Sequence, residues 1–295
     1  MKKISSLPKI PRRRRDGHKG DYGHVLVVGG SHGMAGAPCL AGEAALRAGA
    51  GLVTVAVPRG IYPIVAAKLT CCMTHALEEG EGGGLDDRQT DAVLEYCRRF
   101  DVIALGPGIG RAPETSRFAR ALVARAPQPT IVDADGLNAI AEDASILASA
   151  QAARILTPHP GEMARLAGLG SPGTRYRIAS PFHDRLRAAA EFATEFRVIL
   201  VLKGYRTIVT DGSRYFVNET GNPGMATGGS GDVLTGVIAA LLGQKFEPFD
   251  AAQLGVYLHG LAGDLAARRL GEISLTAWDV LMELPAAFLK HTRSR

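Results

Sequence analysis

Five residues late in the chain, Gly228-Gly229-Ser230-Gly231-Asp232, set a carboxylate inside a turn suited to holding anions. They lie within Asn222–Gly236 and lead straight into an apolar segment, Val233 to Leu242. Gly228, Gly229 and Gly231 carry no Cβ, so the backbone can turn sharply and approach a ligand closely. A helix starting here begins with unpaired N–H groups and the positive end of its dipole. Such an end binds phosphate oxygens. A negative charge there works against simple phosphate holding. It fits a carboxylate that takes a proton from a hydroxyl lying beside the phosphate, which is phosphoryl transfer to an alcohol. The Gly-x-x-x-x-Gly-Lys-Ser/Thr phosphate loop does not occur. A glycine-rich loop alone is also what a plain turn or helix cap looks like.

The elements that must position this turn alternate in type. Strands are expected at His24–Val28, Leu52–Val57, Val102–Leu105, Thr130–Asp133, Arg154–Thr157 and Val198–Leu202, each ending in Gly, Pro, His, Asp or Lys. Helices are expected at Met34–Ala48, Thr90–Arg99, Glu114–Ala124, from Leu137, at Glu162–Leu166, Arg185–Phe196, Val233–Leu242, Phe249–Leu270 and Thr276–Leu289. Thr207–Thr210 and Arg214–Val217 read as a hairpin around Asp211-Gly212. Residues 168–183 read as a loop, and Gly80–Gly84 as a surface loop. Strand–helix alternation predicts a mainly parallel sheet covered on both faces, an α/β three-layer αβα sandwich. In such sheets ligands bind beyond the carboxyl ends of the strands, so the polar clusters are expected to converge on one cleft.

The chain has 295 residues and is 46% hydrophobic, enough for one large α/β domain. Its net charge is +5, but residues 1–20 alone carry +7, which leaves −2 for the rest. A nearly neutral body argues against a broad nucleic-acid-binding face. Residues 1–17, with Arg12 to Arg15, are expected as a flexible basic arm, and 18–295 as a single domain. Cys39, Cys71, Cys72 and Cys97 lack metal-binding spacing and fit a reduced cytoplasmic protein. No apolar run approaches the ~18 residues that span a bilayer, and no hydrophobic segment follows the basic N-terminus.

Taken together the clusters resemble the NAD(P)H-hydrate dehydratase family of the ribokinase-like superfamily. The matching runs are His18-Lys19-Gly20-Asp21-Tyr22-Gly23, Gly29-Gly30-Ser31 with Met34-Ala35-Gly36-Ala37, and Ala48-Gly49-Ala50-Gly51-Leu52-Val53. They continue through Gly106-Pro107-Gly108-Ile109-Gly110, Asp133-Ala134-Asp135-Gly136-Leu137-Asn138, Thr157-Pro158-His159-Pro160-Gly161-Glu162, Leu202-Lys203-Gly204 and the Asn222–Gly236 block. Ser230 stands where Thr is frequent, which keeps a hydroxyl, and Arg175–His183 fits the family less well.

The resemblance implies repair of nicotinamide cofactors damaged by hydration. The S-form of NAD(P)H hydrate would be dehydrated at the expense of ADP (or ATP), with Mg2+, giving AMP and phosphate when ADP is the donor. It implies Asp232 as general base and Gly229, Ser230 and Gly231 as the anion hole. Ala37, Gly108, Gly110, His159 and Asp232 would meet the hydrated cofactor. Lys203, Gly204, Tyr205, Arg206, Thr207 and Gly231 would meet the nucleotide. Alternatives stand beside several of these: Ala37 is also small enough for helix packing alone, and a strand exit with a solvated lysine describes Lys203 equally. Asp133 and Asp135 are either a metal pair or, for Asp133, a helix cap. Glu162 either orients magnesium-bound water or favours a helix N-terminus.

The resemblance also implies a homo-oligomer, with a homotetramer as the expected form. A separate epimerase is expected, because only about twenty residues precede the first motif. Two rivals remain at this stage. One is a small-alcohol kinase of the same superfamily, acting on a thiazole or pyrimidine precursor. The other is a non-catalytic nucleotide- or RNA-binding protein that uses the Arg12–Arg15 arm.

Overall fold

The computed structural model describes residues 1–168 and 182–293. The expected loop at 168–183 and the Arg175–His183 segment therefore fall mostly outside the described residues. Among the described residues ten strands form one sheet: β1 Lys2–Lys3, β2 His24–Val28, β3 Leu52–Pro58, β4 Met73–Leu77, β5 Val102–Leu105, β6 Thr130–Val132, β7 Arg154–Leu156, β8 Ile199–Leu202, β9 Ile208–Thr210 and β10 Arg214–Val217. The order across the sheet is β1-β10-β9-β8-β7-β6-β5-β2-β3-β4. Seven adjacent pairs are parallel, and β9 alone runs against both neighbours, β8 and β10.

The strands are apolar on both faces because both faces are covered. Val25 and Val27 point into one core, while Leu26 and Val28 point into the other. The first core is closed by α1 Gly36–Arg47, α2 Tyr62–Lys68, α8 Ser230–Gly243, α9 Pro248–Leu270 and α10 Ala277–Arg293. The second is closed by α3 Thr90–Cys97, α4 Pro113–Arg125, α5 Asp135–Ala141, α6 Pro160–Leu166 and α7 Phe182–Phe196. The result is the expected three-layer αβα sandwich. Among the described residues no helix is long and apolar enough to cross a membrane.

The basic arm departs from expectation. It is laid along the first helical layer rather than standing free in solvent. Lys2 and Lys3 pair in parallel with Arg214 and Tyr215 of β10. Gln253 Nε2 donates to Ser6 O at 2.8 Å, and Ile4, Leu7 and Ile10 pack on the core. Arg13 donates to Gly49 O and lies 4.0 Å over the Tyr22 ring. The charge run hid three apolar anchors at three-residue spacing, and these hold the arm down while Arg12, Arg14 and Arg15 stay in water.

Two more elements escaped the sequence. Met73–Leu77 is a half-buried edge strand, and Tyr62–Lys68 is a helix with proline in its first turn, where the missing N–H costs nothing. Helix α5 starts at Asp135, two residues earlier than expected.

Candidate active site

The glycine-rich turn becomes the start of α8. Gly229 is its N-cap, with φ of 90° in the left-handed region that favours glycine. A Cβ there would also lie 2.6 Å from Leu40 Cδ1. Ser230, Gly231 and Asp232 form the first turn, with their N–H groups at the positive end of the helix. Further along, a Cβ on Gly236 would sit 2.1 Å from Ala41 O, so the missing side chain lets α8 press against α1. That packing brings the start of α8 and the start of α1, where Ala37 lies, to the same side of the sheet.

A charged centre sits beneath this turn. Asp133, at the end of β6, is 1% exposed. Its Oδ1 accepts from Lys203 Nζ at 2.7 Å and its Oδ2 accepts from Thr235 Oγ1 at 2.9 Å. Lys203 Nζ also lies 3.9 Å from Glu162 Oε2. A Cβ on Gly231 would fall 3.2 Å from Lys203 Nζ and 3.3 Å from Asp133 Oδ2, so glycine lets the pair sit flush against the anion turn.

Burial alone would push Asp133 up, but the Lys203 charge and hydrogen bonds from Lys203, Thr157 and Thr235 hold it below the ordinary range. Burial likewise works against the Lys203 ammonium, and Asp133 and Glu162 more than restore it. The pair stays ionised. Asp232 is the opposite case. Burial, reinforced by the charge of Asp133, pushes its carboxyl up to about 7, with Lys203 opposing. Among the described residues no hydrogen bond reaches the Asp232 carboxylate.

His159 caps α6 through its ring. Its Nδ1 accepts from Gly161 N at 3.0 Å and Glu162 N at 3.4 Å, while Glu162 Oε2 accepts from His159 N at 2.8 Å. With Nδ1 occupied as acceptor, the ring proton belongs on Nε2. Burial, then Lys203 and Arg165, hold His159 below its usual range, so the ring is neutral at physiological pH. Burial raises Glu162 despite Lys203.

A second group assembles around the β5 exit. A Cβ on Gly108, which has φ of 67°, would lie 3.2 Å from the Ala37 Cβ and 3.0 Å from Met34. Ser31 Oγ donates to Gly108 O at 2.9 Å. Gly110 N donates to Asp135 Oδ2 at 3.1 Å. Ala37, Gly108 and Gly110 are thus brought together. Asp133 and Asp135 serve different partners: Lys203 and Thr235 for the first, Gly110 N and Arg111 for the second. Among the described residues no group of three or more His, Cys, Asp or Glu side chains could hold a metal ion.

The segment Lys203–Thr207 divides. Lys203 turns inward to the charged centre, while Tyr205 is 89% exposed. Gly204 has φ of 134°, Thr207 Oγ1 donates to Gly204 O, and the Arg206 guanidinium lies 4.7 Å over Phe182. Sequence reasoning missed Thr235 and His259. Ser230 Oγ lies 3.4 Å from His259 Nε2, on α9, where burial pulls the imidazole down to about 4 and keeps it neutral. Thr235 lies three residues after Asp232, on the next turn of α8, and that spacing was the available signal.

Residues 25–286 match the model of a family described as NAD(P)H-hydrate dehydratase. A bifunctional NAD(P)H-hydrate repair enzyme from Moorella thermoacetica is 51% identical over 279 residues, covering 94% of this chain and 51% of that protein. The chain thus spans about half the length of the curated relatives it matches. The crystal structure of an ADP/ATP-dependent NAD(P)H-hydrate dehydratase from Bacillus subtilis, co-crystallised with ATP/Mg2+, is 27% identical. It superposes with a TM-score of 0.77 over 96% of this chain and 95% of its own. A ribokinase-like superfamily protein from Enterococcus faecalis is 26% identical with a TM-score of 0.78, covering 96% and 93%. The fold is ribokinase-like.

Proposed function

This chain belongs to the NAD(P)H-hydrate dehydratase family, and from that premise we propose that it restores the S-form of hydrated NADH or NADPH to the reduced cofactor, with ADP as phosphoryl donor. The observation that carries the reading is the buried, elevated Asp232 carboxyl in the first turn of α8. A base poised near neutrality is what proton removal from an alcohol needs.

Asp232 takes the proton of the ring hydroxyl. The hydroxyl oxygen attacks the terminal phosphorus of ADP, and the bond to the bridging oxygen breaks, releasing AMP. The N–H groups of Gly229 to Gly231 hold the developing charge. The ring carbon–oxygen bond then breaks with its electron pair leaving on phosphate, pushed by the ring-nitrogen lone pair. Loss of a proton from the neighbouring carbon restores the double bond. His159 faces this reaction as a neutral ring with its proton on Nε2, so it donates a hydrogen bond to the substrate rather than accepting the hydroxyl proton. Lys203 to Thr207 and Gly231 contact the nucleotide, and Ala37, Gly108 and Gly110 line the hydrated ring.

The reading includes Mg2+ on the donor phosphates. The centre has the charge for it: Asp133, Glu162 and Asp232 stand against the Lys203 ammonium. With no all-protein cage among the described residues, the ion fits as one carried by the nucleotide and keeping several waters, with Glu162 holding one of them. When bound it would neutralise phosphate charge. The reading also includes a cytoplasmic homotetramer, and the exposed Trp278, Met282 and Leu289 on α10 offer apolar surface for such contacts.

Purified protein given hydrated NADH and ADP should regain reduced-nicotinamide absorbance, with AMP and phosphate formed in equal amounts. No recovery of NADH there, together with a stable phosphorylated alcohol when the protein is instead given a thiazole or pyrimidine alcohol and ATP, would identify a small-alcohol kinase.

A further inference from the structure

We propose that Arg111 and Arg165 form a phosphate-binding rim that holds the pyrophosphate of the dinucleotide substrate. The proposal rests on the functional reading above and adds the part of the substrate which that reading leaves unheld. The two side chains lie on different elements but share one tether. Arg111 Nε donates to Asp135 Oδ1 at 3.1 Å. Asn138 Nδ2 donates to the same oxygen at 3.2 Å, and Arg165 Nε donates to Asn138 Oδ1 at 2.8 Å. Asp135 Oδ2 meanwhile accepts from Gly110 N. One hydrogen-bonded chain therefore joins the Gly108–Gly110 turn to helix α6.

Each arginine spends only its Nε in this chain. The four Nη hydrogens of each guanidinium remain for a ligand among the described residues, in the planar fork that matches phosphate oxygens. Both side chains are exposed. Arg111 directly follows Gly110, and Arg165 Nη1 comes within 3.8 Å of where a Gly161 Cβ would sit, beside His159. The rim thus flanks both groups read as holding the hydrated ring.

Charge points the same way. The centre is rich in carboxylates, Asp133, Glu162 and Asp232, with Lys203 committed to Asp133. A dinucleotide with its ring at Asp232 brings two phosphate charges, and these must lie farther out. Arg111 and Arg165 are the cations tethered there.

The test is equilibrium binding of NADH, the product that keeps the same pyrophosphate, followed by its own fluorescence. NADPH and phosphate-free reduced nicotinamide riboside serve as comparison ligands. The Arg111→Ala/Arg165→Ala variant should bind NADH and NADPH about tenfold more weakly, a loss of one charge-assisted contact or more. Riboside binding should stay within about twofold, and the salt dependence of NADH binding should flatten. Unchanged NADH affinity, equal weakening of the riboside, or a loss confined to NADPH would each overturn the pyrophosphate assignment. Binding needs no turnover, so a chain that binds NADH through this rim yet fails to process hydrated NADH would sink the functional reading alone.

Discussion

Asp133 and Asp135 stand two residues apart and live in different physical worlds. Asp133 is sealed under α8 with Lys203 and Thr235, its side chain 1% exposed. Asp135 opens α5 at the cleft rim with Arg111, whose side chain is 65% exposed. Both are carboxylate–cation pairs of ordinary length. In the first, the carboxylate is out of water and its cation mostly so, so the charges act strongly on each other and on Asp232 beside them. In the second, solvent and salt screen the pair, and its worth lies in aiming Gly110 and Arg111. Burial, more than residue type, separates the reacting centre from the rim.

The contrast can be broken at several points. The largest effect is expected at Asp232. Replacing it with Asn should lower turnover by about a hundredfold to ten-thousandfold, the range of a lost general base, with nucleotide affinity little changed. Steady-state kinetics and direct titration with ADP check both halves. Next is the sealed pair. Lys203→Met leaves Asp133 buried without its partner and should cost about 3–5 kcal/mol in chemical denaturation, while Asp133→Leu with Lys203→Met should recover much of that loss.

The third test is pH. Asp232 must be ionised to act, so kcat/KM should climb as pH rises and level off above about 7. Stability runs the other way. A carboxyl whose folded value is raised from 3.8 to about 7 favours the fold below the unfolded value, and that contribution disappears as pH rises through the folded one. Asp232→Asn should therefore gain melting temperature over the unmodified protein as pH increases from about 4 to about 7, with no gap below that window. The smallest effect belongs to the rim. Arg111→Ala should change stability by less than about 1 kcal/mol, since the cation it removes is largely exposed. A loss as large as that of Lys203→Met would erase the distinction between the two sites.

Much of this molecule was legible in the sequence. Apolar runs ended by Gly, Pro or Asp gave the inner parallel strands from His24–Val28 to Ile199–Leu202, because strands buried on both faces carry few polar residues. The Gly228–Asp232 turn was legible because a left-handed N-cap and a flush ion pair both demand glycine. Short or half-exposed elements were not. Lys2–Lys3 pairs through its backbone, which no side-chain pattern announces. Arg154 read as an ordinary strand residue, yet it is 1% exposed. Its guanidinium donates to the carbonyls of Val123, Ala126, Gln128 and Ala152. Those partners are distant in sequence or in loops, and only the fold brings them together. The partnership of Asp133 with Lys203 and Thr235 was hidden for the same reason, spanning 70 and 102 residues.

The most direct test of the account is the pH dependence of single-turnover dehydration of hydrated NADH with ADP, in the unmodified protein and in Asp232→Asn. The account predicts a rate that falls about tenfold per pH unit below about 7 in the first, and a slow, pH-independent remainder in the second. A variant as fast as the unmodified protein, with the same pH profile, would remove Asp232 from the chemistry and contradict the account.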